Sequence, residues 1–405
     1  MAKYIFINIP SHSHVNSTLP IVQELVARGE EVIYYLTDSF QQTVEATGAT
    51  FRRYDSKIEQ INKAATAAGK PVGLPMYMLD EALHVIPQIL ESMRAEQPDC
   101  IVYDILCLSG RIIAELLGVV ATTFRIIIAF DQRLTQVFLT NAARDPLGQV
   151  TFQDSMEKIC EVYHIQPFDL LSIFLHEEPL NLVTIPRSFQ VSEASFGEQF
   201  CFIGSAITER REHAGFPLEE LEGQQVLYIS HGTVYNDRAD FFNLCLNAFA
   251  DTPWKVVMSI GDKVHPDQLG SIPDNFLVRS YVPQLDILKY AKLCITHGGM
   301  ATIIESLSQA VPLVVIPQMT SDVMVNARRV EELGLGIMFD EKSLNAEQLR
   351  AGVERVSNDP TFYARAGVMQ KDIEESGGYK RGADALQTLV KQFVEGREGK
   401  QVSVL

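Results

Sequence analysis

The feature that most restricts what this chain can fold into is a rhythm that runs along it twice. Short runs of β-branched and aromatic residues alternate with longer amphipathic stretches. Such a pattern specifies strand–helix–strand units, whose strands pair in parallel and whose helices cover the sheet. The first series predicts strands at 4–9, 32–36, 51–54, 100–103 and 120–124, with helices at 18–28, 39–47, 82–95 and 110–117. The second predicts strands at 226–230, 255–259, 276–280, 293–296 and 313–316, with helices at 239–250, 285–290 and 302–308. The fold class is therefore α/β, with two open parallel sheets. Gly204-Ser205 and the charged run Glu209-Arg210-Arg211-Glu212-His213 read as a solvated connector between them, and 405 residues suffice for two cores. In open α/β sheets ligands bind outside the carboxyl ends of the strands, so two such domains facing across a cleft predict a two-substrate site.

Charge narrows the partners. Thirty-four basic against 51 acidic residues leave a net charge of −17, which argues against nucleic acid and anionic membrane surfaces. No apolar run reaches the ~18 residues of a membrane span; the nearest, 119–130, carries Arg125 in its middle. The apolar run behind Met1 is too short for a secretory signal, and the six cysteines are scattered without metal-ligand spacing. These features lead us to expect a cytoplasmic protein without an integral membrane segment. Neither an Asp-x-Asp nor a His/Cys cluster offers a metal site, and no Gly-x-Gly-x-x-Gly follows a predicted strand, which argues against a nicotinamide oxidoreductase.

The second domain holds the more specific motif. His297-Gly298-Gly299-Met300-Ala301-Thr302 leaves a strand and opens a helix. Glycines there let the backbone approach a ligand, and the helix N-terminus points amides at it, which suits a diphosphate. Taken alone, such a turn is equally a plain strand-to-helix connection. Its surroundings add to it. Upstream, Tyr281-Val282-Pro283-Gln284 follows a strand as a base-stacking ring and a base-reading amide would; downstream, Glu305 lies one helical turn past Thr302, where ribose hydroxyls would fall. Pro317-Gln318-Met319-Thr320-Ser321-Asp322 leaves the next strand end.

In order and spacing the stretch 281–323 resembles the donor signature of the UDP-dependent glycosyltransferases, most closely the bacterial macrolide- and flavonoid-type branch. The resemblance extends from the Pro10-Ser11-His12-Ser13-His14-Val15-Asn16 turn to Val330–Gly336. It implies a GT-B architecture, with an acceptor domain over 1–205, a linker over 206–222, a nucleotide-sugar domain over 223–385 and a terminal helix over 386–405 crossing back. It further implies that Tyr281 stacks on uracil, that Val282 and Gln284 contact base or ribose, and that Glu305 holds the ribose hydroxyls. His297, Gly299, Ala301 and Thr302 would hold the diphosphate, joined by Gly232 and Thr233 of Ser230-His231-Gly232-Thr233. Ala301-Thr302 replaces the family's usual Asn-Ser. The family's acidic-Gln pair, which binds sugar hydroxyls, falls on Asp322-Val323 or, counted from Pro317, on Ser321-Asp322; a valine cannot make those bonds, which weakens the expectation of glucose. His231 beside the phosphate site reads as packing or rim.

On the first domain His12 and His14 follow the first strand, and Asp104 ends another. Two histidines in a turn can be plain polar loop residues. A histidine backed by a carboxylate, however, is the arrangement that takes a proton from a hydroxyl, and the resemblance puts the catalytic pair on His14 and Asp104. The reaction implied is inverting displacement from a UDP-sugar as co-substrate, with glucose the first expectation and other NDP-sugars the alternative, to a hydroxyl of a small lipophilic acceptor such as a macrolide, flavonoid or other phenol, with no metal or other cofactor. Apolar walls for that acceptor are read at 72–78, with Met76 and Met78, and at 124–130, with Phe124, Ile126 and Phe130; these are equally ordinary core segments. The chain is expected to be a monomer or weak dimer. Rival readings are a GT-B epimerase, transfer to lipid, and a sugar-nucleotide-binding protein that has lost turnover.

Overall fold

The structure is a computed structural model and describes residues 1–58, 60–61, 74–136, 146–207, 215–232, 237–318 and 321–402. The chain divides into two compact units, Met1–Ala206 with Ser376–Leu405, and Ile207–Glu375. The expected connector at 209–213 lies outside the described residues, as do 72 and 73 of the expected acceptor segment.

In the first unit seven strands, β1 (Lys3–Ile7), β2 (Glu31–Leu36), β3 (Thr50–Arg53), β4 (Cys100–Asp104), β5 (Val120–Arg125), β6 (Leu180–Val183) and β7 (Phe200–Phe202), form a wholly parallel sheet. Their order is β3-β2-β1-β4-β5-β6-β7. The chain starts at β1, works outward to β3, then returns to the other side of β1 for β4. Connections therefore leave β1 and β4 in opposite directions, and the crevice at their carboxyl ends is the place where such a sheet binds ligands. The described helices are α1 (His12–Ala27), α2 (Gln41–Glu45), α3 (Met78–Glu96), α4 (Leu108–Leu117), α5 (Pro146–Tyr163) and α6 (Leu171–Leu175).

The helix expected at 18–28 begins six residues earlier, at His12. Pro20 sits inside α1, where its ring removes one backbone donor. Nearby hydroxyls bond the carbonyls of the preceding turn, Ser17 Oγ to Ser13 O at 2.8 Å and Thr18 Oγ1 to Val15 O at 2.7 Å. His12 and His14 thus lie on a helical first turn rather than in a loop.

The second unit repeats the plan. Strands β8 (Gln225–Ser230), β9 (Trp254–Ser259), β10 (Phe276–Arg279), β11 (Ala291–Thr296), β12 (Leu313–Val315) and β13 (Gly336–Met338) are parallel in the order β10-β9-β8-β11-β12-β13. Its switch point lies between β8 and β11. Helices α7 (Ala239–Phe249), α8 (Gln284–Leu288), α9 (Met300–Leu307), α10 (Ser321–Glu332), α11 (Ala346–Asn358) and α12 (Pro360–Glu375) accompany it. One face of the sheet packs Leu227, Ile229, Val256 and Ile295 against Phe242, Phe249 and Leu349 in a continuous core.

The last helix, α13 (Gly378–Val402), belongs to the first unit and begins its return at 376, ahead of the break expected at 385. It lies against α1. At Gly382 a Cβ would stand 2.8 Å from Ile21 Cδ1, so the two backbones approach as closely as they do because no side chain intervenes. Arg28 bonds Asp384 at 2.5 Å and Gln387 at 2.8 Å across the contact.

Candidate active site

The carboxyl ends of β1 and β4 bring His14 and Asp104 together. His14 Nδ1 is 2.7 Å from Asp104 Oδ2, and the Asp104 carboxylate is fully buried while the imidazole keeps 15% of its surface. Asp104 Oδ1 accepts a bond from the Leu106 backbone N–H at 2.8 Å, which fixes the carboxylate plane. A carboxylate can only accept, so Nδ1 carries the proton and Nε2 is left with the lone pair. The arrangement can remove a proton from a hydroxyl and hold the imidazolium that results. His12 is exposed and leans on Phe40 with ring centroids 4.9 Å apart, away from the carboxylate.

In the second unit the turns after β8 and β11 meet around one imidazole. At Gly232, whose φ is +80°, a Cβ would lie 2.4 Å from His297 Cε1; at Gly299 it would lie 2.6 Å from the same atom. The ring is held between two glycines that nothing larger could replace without moving it. Burial pushes the His297 imidazole down to about 4, against the opposing pull of the Asp322 carboxylate. The ring is neutral at neutral pH, and its buried Nδ1 has no hydrogen-bond partner among the described residues. Gly299 is the N-cap of α9, so the amides of its first turn, at Met300, Ala301 and Thr302, face the same turn. Asn326 Nδ2 bonds Gly298 O at 2.9 Å and ties α10 to it.

Tyr281 follows β10 and keeps 45% of its surface, an open ring face for stacking; burial and the neighbouring Asp262 carboxylate raise its hydroxyl above the ordinary value. Val282 is buried beside it. Gln284 Nε2 bonds Glu305 Oε2 at 2.5 Å, and Thr302 and Glu305 share a buried face of α9. Val323 is 5% exposed with its Cβ 3.5 Å from where a Gly298 Cβ would stand, so it fills the space beneath the turn, while Asp322 lies in the first turn of α10. Thr233 and the Ser321 side chain lie outside the described residues. His231 is 1% exposed, with Nδ1 2.8 Å from Gln318 Nε2 and its ring 4.3 Å from Phe241. It packs.

The acceptor wall read from the sequence needs correction. Phe124 is 0% exposed and Met76 and Met78 1% each, so these side chains lie in the interior and present no surface to a ligand. Phe124 lies on the buried strand β5, Met76 in the 3-10 turn Leu74–Tyr77 and Met78 at the start of α3. Ile126 and Phe130 keep 8% and 7%. Two partners of the site had no signal in the sequence: Leu106, which acts through its backbone, and Tyr228, a polar side chain inside the apolar run of β8. Among the described residues no group of three or more His, Cys, Asp or Glu is placed to hold a metal ion, and no helix is long and apolar enough to cross a membrane.

A family model described as erythromycin biosynthesis protein CIII-like, C-terminal domain, matches residues 243–376. The NDP-glycosyltransferase YjiC of Bacillus subtilis is 34% identical over 398 residues, covering 97% of this chain and 99% of its own. This chain belongs to the bacterial NDP-glycosyltransferase family. The oleandomycin glycosyltransferase of Streptomyces antibioticus is 28% identical over 95% of the chain. Among solved structures the calicheamicin glycosyltransferase CalG4 superimposes with a TM-score of 0.81 at 29% identity, covering 96% of this chain and 98% of that one. The glycosyltransferase of kitacinnamycin gives 0.82 at 28%. The protein is a glycosyltransferase with two Rossmann-like units of the GT-B class, and its co-substrate is an NDP-sugar.

Proposed function

We propose that this glycosyltransferase moves a sugar from a UDP-sugar to a hydroxyl of a small lipophilic natural product, with inversion at the anomeric carbon. His14 is the general base and Asp104 its partner. The observation that carries the reading is the 2.7 Å bond between His14 Nδ1 and a fully buried carboxylate at the switch point of the first sheet. His14 Nε2 takes the acceptor proton as the oxygen attacks the anomeric carbon. The bond from that carbon to the diphosphate oxygen breaks, and UDP leaves. Negative charge grows on the diphosphate, where the α9 amides and the His297 imidazole meet it, dipoles already in place before the charge appears. A protein of charge −17 binds a diphosphate with backbone amides rather than with a basic patch.

The donor side rests on Tyr281, Val282 and Gln284 for the base, Glu305 for the ribose, and Gly232, Thr233, His297, Gly299, Ala301 and Thr302 for the diphosphate. Ser321 and Asp322 are the positions that the family resemblance assigns to the sugar hydroxyls. Val323 offers no hydrogen bond, so glucose is not favoured over other sugars by that position. A natural-product acceptor is supported by the names of two relatives, an oleandomycin and a calicheamicin glycosyltransferase.

His14→Ala should lower kcat by about 10²–10⁴-fold, the usual share of a general base, while UDP still binds with its wild-type affinity. Product formation at the wild-type rate, followed by mass spectrometry with a panel of nucleotide sugars, phenols and macrolides, would overturn the assignment of the base.

A further inference from the structure

Two buried side chains and the half-buried Gln284, on three elements of the second unit, form one hydrogen-bonded chain. Tyr228, on the central strand β8, is 1% exposed, and its hydroxyl donates to Gln284 Oε1 at 2.8 Å. Gln284 opens α8, and its Nε2 donates to Glu305 Oε2 at 2.5 Å. Glu305, on α9, is 8% exposed.

Chemistry forces the direction of this chain. A carboxylate only accepts, so the amide must turn its NH2 towards Glu305 and its carbonyl towards β8. A carbonyl also only accepts, so the tyrosine must donate. Without the phenolic hydroxyl the Gln284 carbonyl loses its donor, and the amide is held only by its bond to Glu305. The loss of that anchor lets the amide and the carboxylate shift together from the position the strand imposes. Tyr228 has no surface with which to touch a ligand, yet it decides how Glu305 is held. Its strand lies between β9 and β11, hydrogen-bonded on both sides, so the hydroxyl is anchored to a central strand of the sheet.

We infer that Tyr228 is a positioning residue for the nucleotide's ribose, which orients Gln284 and through it Glu305, and thereby sets the preference for ribonucleotide over 2′-deoxyribonucleotide donors. The inference rests on the reading of Glu305 as the ribose ligand.

Tyr228→Phe removes a single oxygen atom. Calorimetric affinities for UDP and 2′-deoxy-UDP are to be compared in the wild type, Tyr228→Phe, Glu305→Gln and the double variant. The wild type should favour UDP by about tenfold or more, the worth of a hydrogen bond to a charged group. In Tyr228→Phe the ratio should fall at least about threefold, with KM for the UDP-sugar rising more than kcat falls. The double variant should discriminate no worse than Glu305→Gln alone, because the two residues act on one hydroxyl. A Tyr228→Phe protein that melts earlier yet keeps the wild-type ratio overturns the inference and leaves Glu305 in place. A wild type that binds both nucleotides equally overturns the ribose reading and the Tyr228 role together. Gln284→Leu cuts the same chain at its middle link, so an insoluble Tyr228→Phe variant leaves a second protein in which a retained ratio overturns the proposal.

Discussion

His297 sits where two glycines leave room for it, and that confinement sets both its charge and its fragility. An alanine at position 232 would need φ near +80°, costing about 1 kcal/mol in an L-residue, and would drive its Cβ to 2.4 Å from the ring. Gly232→Ala should therefore weaken UDP affinity on the order of tenfold or more, with little change in the melting of the first unit; isothermal titration against UDP measures this. The imidazole, at about 4, binds its proton more weakly in the folded chain than its ordinary 6.5. The unfolded chain thus takes up the proton first, and the stability gained from the neutral ring is lost as pH falls from about 6.5 through 4. Urea midpoints of the wild type and His297→Asn should diverge across that interval and run parallel above pH 7. Parallel curves throughout would mean the ring is not held neutral. The motif around His297 was legible in the sequence as a turn, and the resemblance put Gly232 at the same diphosphate; that Gly232 and Gly299 confine one ring was not legible, because 67 positions separate them in the chain and only the parallel pairing of β8 with β11 brings them together.

Arg125 shows how an element can misreport itself. It interrupts the most apolar run of the chain and yet is 1% exposed, at the end of β5. Its guanidinium bonds the carbonyls of Phe174 at 3.0 Å and His176 at 2.5 Å, Thr123 Oγ1 at 3.1 Å and Asn181 Oδ1 at 3.3 Å. Burial lowers it to about 10, so it stays charged at neutral pH, and the charge is met by oxygens from the segment that leads into β6. Arg125→Met should cost about 3 kcal/mol, by leaving those acceptors buried without a donor, and chemical denaturation with the slope held constant reads that cost. A loss under 1 kcal/mol would show that the bonds are replaced by water. Strands β6 and β7 escaped the sequence pattern for a related reason. At four and three residues, with Asn181 and Cys201 inside them, they carry no alternation of their own; Arg125, Thr123 and Asn181 tie β6 to β5, and β7 pairs in turn with β6.

At the scale of the whole molecule, the first unit is not contiguous in the chain. Leu386 is fully buried and Val390 5% exposed on α13, and burial of two such side chains is worth on the order of 3–5 kcal/mol. A chain ended at Glu375 should lose hydrogen-exchange protection in β1 and β5 while the core of the second unit, built from residues between 227 and 362, keeps it. Unchanged protection in β1 would show that α13 contributes nothing to that sheet. The sequence alone determined the α/β class, the two series of strand–helix units and the glycosyltransferase signature, because each is carried by neighbouring residues and by the period of the apolar pattern. The resemblance anticipated the pairing of His14 with Asp104 and the return of the last helix, but only the tertiary structure gave the 2.7 Å contact, set His297 between two glycines and buried Phe124, Met76 and Met78. Each of those depends on which strands pair, and pairing follows from how distant apolar faces are buried together, a choice that no local stretch of residues encodes.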